Sequence, residues 1–158
     1  MANWRDTIVA GIIEYMEGID PSLETEDSSQ VTATVEELLD RVLIYTGRHT
    51  LVEDYEEDLE YHTDTTDLFW RNYDRYPIPP VLVRPLARMG ISMFKSITSI
   101  VNSALQVKSL EDNGQSITYG TELQNYFATS SDNEVFGGTI EILDKFRLAD
   151  IVDNTQQF

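Results

Sequence analysis

The sequence predicts a mainly α protein: a small helical bundle with one long helix, a β-hairpin near residues 107–119 and an extended carboxy-terminal arm. Three observations carry this. Apolar residues recur at spacings of three and four over residues 3–18, 34–46 and 81–106, the period of one helix face. Asn113-Gly114 stands between short alternating runs, and that dipeptide supplies the positive φ angles of a tight hairpin turn. With no cysteine among 158 residues, 41% of them apolar, the fold is held by packing, and the length suits one domain with a real core. The domain spans residues 1–158, with a helical core over about 33–106, the hairpin at 107–120 and the arm at 148–158.

In order along the chain, Trp4, Ile8, Ile12 and Tyr15 mark a first amphipathic helix that Gly18 and Asp20-Pro21 end. A polar loop to about Thr32 follows. Thr34-Val-Glu-Glu37 has the form of a capping box and opens a helix carrying Leu38, Leu39, Val42 and Tyr45, which Gly47 closes. Leu51 to Tyr76 is acidic and aromatic together, with two short helices expected around Tyr55 and Phe69. Pro77, Pro79 and Pro80 break the chain before the long helix, in which Pro85 either occupies the first turn or kinks it. Leu38, Leu39, Val42, Leu86, Met89, Met93, Ile97 and Ile100 form the expected core seam. Past the hairpin, a short helix or turn leads through a loop to a brief helix over 139–146. The segment Leu148 to Phe158 is too apolar for an idle tail.

Charge narrows the function. The net charge is −17. It is lopsided: residues 1–76 hold 19 acids and 5 bases, whereas 77–158 hold 9 and 6. Between Tyr76 and Leu110 there is no acid but there are four bases, Arg84, Arg88, Lys95 and Lys108. Binding nucleic acid through phosphates takes clustered Lys and Arg, which this chain lacks. No apolar run approaches the roughly 20 residues of a membrane span, and the amino end has no signal-peptide pattern, so a soluble intracellular protein is expected. Phosphate-loop, dinucleotide, nucleophile-elbow and zinc-protease motifs are all missing. The stretch Asp58-Leu-Glu60-Tyr-His62-Thr-Asp64 puts carboxylates near an imidazole, but without calcium-loop or zinc spacing it reads as a solvated acidic face. Gly137-Gly138 before Thr139 could present amides to an anion, though a hinge or an ordinary cap accounts for it more simply. No catalytic, cofactor or metal site is therefore expected.

The run Leu86–Val107, "LARMGISMFKSITSIVNSALQV", then Lys108-Ser109, Ser116-Ile-Thr-Tyr-Gly120 and the closing Lys145-Phe-Arg-Leu148 resemble the head-tail connector (adaptor, or head-completion) proteins of tailed bacteriophages. The resemblance runs over residues 33–150 in order of elements and over 86–148 in residue detail. It implies a structural virion protein without chemistry of its own. Such a protein is monomeric when free or assembled as a homo-oligomeric ring, commonly of twelve. It sits between the portal protein and the tail or stopper protein and prolongs the channel for genomic DNA. It passes through host cytoplasm during assembly, without membrane contact or cofactor.

The residues then acquire expected roles. Arg84, Arg88 and Lys95 would meet Glu53, Glu56, Glu57 and Glu60 of a neighbouring copy, a head-to-tail contact that salt should weaken. Leu148, Ile151, Val152 and Phe158 would dock on the portal, and Asp112, Asn113 and Gly114 would place the hairpin against an adjacent subunit. A DNA-mimicking inhibitor of a host nucleic-acid-binding protein is the alternative reading of the acidic charge.

Overall fold

A computed structural model describes residues 4–52, 76–111 and 118–148, with the backbone alone for 104–111. Four helices form the body: α1 (Trp4–Ile19), α2 (Ser28–Thr46), α3 (Val83–Glu111) and α4 (Tyr119–Thr129). Two single-turn helices, α5 (Asp132–Phe136) and α6 (Ile140–Asp144), close the described chain.

The first helix forms where its spacing predicts, but its inner face is Trp4, Val9, Ile12 and Met16. Tyr15 turns outward, 44% exposed. Asp20 ends the helix and caps a 3₁₀ turn over Pro21–Thr25, accepting the Ser22 amide. The expected polar loop is mostly absent, because Asp27 caps α2 at Ser28 by accepting the Ser29 amide at 2.9 Å. Thr34 is consequently an interior residue, not a cap. Its hydroxyl bonds back to Gln30 O at 2.8 Å, as threonine does inside helices. Gly47 ends α2 at φ 74°, the left-handed position that glycine fills without strain.

Pro79 leads through a 3₁₀ turn, Pro80–Leu82, directly into α3. Pro85 lies in the first turn, where its missing N–H costs little. Helix α3 continues to Glu111, so Val107–Glu111 is helix rather than the first strand of a hairpin. Thr118, expected in the second strand, caps α4 by accepting the Thr121 amide at 3.1 Å. Among the described residues there is no strand. The alternation of Val107 and Ser109 was too short to override the 3.6-residue period running in from upstream, and a lone two-stranded ribbon gains little burial. Asp112, Asn113 and Gly114 lie outside the described residues. The loop expected before Thr139 contains α5, whose capping box joins Ser131 and Glu134.

Cross-contacts give the topology. Arg5 of α1 pairs with Asp40 of α2, Met16 meets Gly90 of α3, and Asp20 meets Lys95. Thr34 touches Tyr119, and Arg41 touches Asp132. Helices α1 and α3 therefore run one way and α2 and α4 the other, an up-down arrangement around one core. That core contains Leu38, Leu39, Val42, Leu86, Met89, Met93 and Ile97 as the seam predicts. Ile100 departs from it at 45% exposure. Asp20 and Lys95 already mark the end of α1, so Ile100 lies one turn farther along α3.

Candidate functional site: a clasped pole and a groove along the long helix

Arg48 follows Gly47 and opens a 3₁₀ turn, Arg48–Leu51, that carries the chain towards residue 53. Its side chain is 2% exposed. Nε donates to Phe146 O at 2.6 Å and Nη1 to Tyr76 O at 2.8 Å, while the guanidinium carbon stands 6.0 Å from the Phe146 ring centre. A buried guanidinium is tolerated only when its N–H groups find acceptors, and these carbonyls supply two of them. Beside it, Leu148 N donates to Thr46 O at 3.0 Å, and Arg147 lies over the Tyr45 ring at 4.8 Å. The Tyr45 hydroxyl donates to the Asp144 carboxylate. Burial, with that carboxylate alongside, holds the Tyr45 phenol above its ordinary pKa.

The clasp gathers four ends of chain: the close of α2, the departure at Val52, the return at Tyr76 and the departure at Leu148. Glu53, Glu56, Glu57 and Glu60 lie outside the described residues, as do Ile151, Val152 and Phe158. The flanks of both segments nonetheless meet at this one pole. Leu148, expected to belong to a docking arm, is half-buried and tied to the bundle.

The three cations expected at a subunit contact have different surroundings. Arg84 stacks on Tyr15 at 5.6 Å. Lys95 binds the Asp20 carboxylate at 2.6 Å. That ammonium and the Ser22 hydroxyl hold the carboxyl down at about 2. Arg88 is exposed and forms no ion pair among the described residues. It stands on the rim of a groove of about 310 Å³ between α3 and the α4–α5 corner, with Met89, Met93, Val135 and Phe136 beneath and Glu134 and Gly137 on the far side. A second groove of about 330 Å³, on the Lys95 side of α3, has Leu23 and Phe94 within a largely hydroxyl and amide lining.

Two fasteners frame the first groove. Arg41 donates to Asp132 at 2.7 Å, to Phe127 O at 2.8 Å and to Ser130 O at 2.7 Å, holding the end of α4 against the start of α5. Tyr119 is packed 5.5 Å from Phe94 and shares a hydrogen bond with Thr34. Burial pushes its phenol up to about 12. Neither Arg41 nor Arg48 was singled out by sequence reasoning. The available signal was scarcity, because a half-chain with 5 bases against 19 acids has little reason to place cations beside apolar helix faces unless they are used internally.

Among the described residues no group of three His, Asp or Glu side chains could hold a metal ion, and the His62 cluster lies outside them. No described helix is long and apolar enough to cross a membrane. The arrangement defines a mainly helical bundle with a clasped pole and a grooved long helix. Comparison with protein-family models, curated proteins and solved structures finds no match to this chain.

Proposed function

We propose that this chain is a structural adaptor of the head-tail connector kind, a subunit that assembles into a ring between the portal and the tail or stopper of a tailed phage. The observation that carries the reading is the convergence at the Arg48 pole. The described residues that border the two stretches nominated for partner contact, 53–60 and 149–158, lie near this pole: Arg48 binds Tyr76 O and Phe146 O, Leu148 N binds Thr46 O, and Val52 follows the turn that Arg48 opens. A helical body with the described borders of both stretches gathered at one end suits an assembly part, which needs contact surfaces and no chemistry.

The charge supports the same reading. Twelve copies at −17 each would carry on the order of −200 before screening, a wall along which DNA slides without adhering. The deciding experiment mixes purified protein with purified portal and follows it by light scattering and electron microscopy. Rings seated on the portal are the expected result. A chain that stays monomeric beside portal, or that forms a stable complex with a host nuclease, overturns the proposal.

A further inference from the structure

We infer that copies of this chain meet head to tail, with the outer face of α1 from one copy, Glu14, Tyr15 and Ile19, seated in the Arg88 groove of the next. This contact deepens the adaptor reading and rests on it, because the ring axis is taken to run along the helices.

Four observations point to it. The apolar surfaces match: Ile19 is 52% exposed and Tyr15 44%, a turn apart on α1, and the groove offers Met89 and Met93, flexible side chains that accept irregular shapes. Gly18 is exposed between them, and nothing lies within 4 Å of a Cβ placed there, so a neighbour can come close. The charges match as well. Arg88 on the groove rim and Glu14 beside Tyr15 are both exposed and form no ion pair among the described residues, while Glu134 across the groove is engaged by the Ser131 amide at 3.0 Å.

The two surfaces also face opposite ways. Arg84, which lies over Tyr15, and Met93 in the groove are nine residues apart on α3, about two and a half turns and hence on opposite flanks. A contact between unlike patches is heterologous and continues from copy to copy until a ring closes. Finally, the heights agree. Met16 meets Gly90 and Asp20 meets Lys95, so Ile19 is level with the stretch of α3 that lines the groove, Arg88 to Ser96. Rotation about an axis along the helices preserves height and direction. It therefore carries Ile19 of one copy to the groove of its neighbour, with Glu14 towards the Arg88 end.

The chain has no cysteine, so single introduced cysteines report the contact. Gly18→Cys mixed with Ser92→Cys should cross-link on mild oxidation, in concentrated free protein or in protein assembled on portal, and faster than either variant alone. Ile44→Cys mixed with Ser92→Cys sets the collisional rate, because Ile44 is exposed outside the contact. In sedimentation, Ile19→Asp should weaken self-association on the order of tenfold, as loss of a central anchor does. Arg88→Glu and Glu14→Arg should each weaken it, and the two combined should restore it. Copies that assemble while the Gly18 and Ser92 pair cross-links no faster than the Ile44 control overturn the inference and leave the adaptor reading standing. Gly18→Cys that cross-links to itself as fast as to Ser92→Cys makes the contact two-fold and also overturns it. A chain that associates neither alone nor on portal overturns both.

Discussion

The hydrogen bond between Thr34 and Tyr119 should behave as a coupled buried pair. Thr34 is fully buried and Tyr119 is 6% exposed. The Thr34 hydroxyl donates to Gln30 O at 2.8 Å, so at the second contact it accepts and Tyr119 donates. Changing Thr34 to Val strands the phenolic proton inside the core and should cost about 1–3 kcal/mol, the penalty of an unmet buried donor. Changing Tyr119 to Phe removes the donor and leaves Thr34 still bonded to Gln30, so the cost should be nearer 1 kcal/mol. The double change leaves no stranded group and should cost less than the two added together, with a coupling of about 1 kcal/mol. Urea unfolding monitored by circular dichroism measures all four corners of this cycle.

The same pair makes an alkaline prediction. A phenol raised from 10.0 to about 12 on folding binds its proton more tightly in the native state. Its contribution is therefore complete below pH 10 and lost as pH rises towards 12, by about 2 kcal/mol. Tyr119→Phe should lack that loss. Additive costs in the cycle, together with identical alkaline profiles for the two proteins, would refute the reasoning.

Arg48→Met should lower stability by about 3 kcal/mol, because Tyr76 O and Phe146 O each lose a charge-assisted donor in a buried site; a melting temperature within a degree of the parent would contradict this. Gly11→Ala and Gly90→Ala should differ although both are helical, the first gaining up to about 1 kcal/mol of helix propensity. The second should gain less, since a Cβ at Gly90 would stand 3.0 Å from Met16 Sδ while nothing lies near Gly11. Equal gains would mean that Met16 moves aside freely. Acid should weaken the protein as Asp20 protonates. Its folded value of about 2 lies below the ordinary 3.8, so its contribution is present above pH 4 and fades as pH falls to 2. Lys95→Met should flatten that part of an acid titration followed by fluorescence.

The helices were legible because their apolar residues repeat at the helical period, and the turn at Gly47 because glycine directly after a periodic run supplies the left-handed residue that ends a helix. Boundaries were less so. Thr34 and Glu37 match a capping box, yet Asp27 caps seven residues earlier, since Val31 already has a core to enter. The expected hairpin failed for a related reason: Thr118-x-x-Thr121 supplies a helix cap, and local alternation cannot reveal what the neighbouring helices offer. Arg41 and Arg48 were invisible because each reaches two backbone carbonyls, and every residue has one. Which carbonyls meet at a pole depends on topology alone.

That use of cations alters how the expected subunit contact should respond to salt. Arg5, Arg41 and Lys95 are paired within the chain, Arg48 is buried, and Arg84 and Arg147 lie over tyrosines. Arg88 alone of the three nominated cations stands without such a partner among the described residues, so of those three it is the one left for an opposite-charge contact, an exposed pair worth about 0.2–1 kcal/mol. Against this, each added copy brings a charge of −17 towards others of the same sign. Apolar residues at the surface, Ile44 at 65% exposure and Ile19 at 52%, offer an attraction that salt does not screen. On that balance we predict the opposite response to salt. Raising salt from about 0.05 to 0.5 M shortens the screening length from well over 10 Å to about 4 Å and should strengthen self-association. Sedimentation at several salt concentrations reads this directly. Association that instead weakens steeply as salt rises would place several cations at the contact and return the interface to opposite charges.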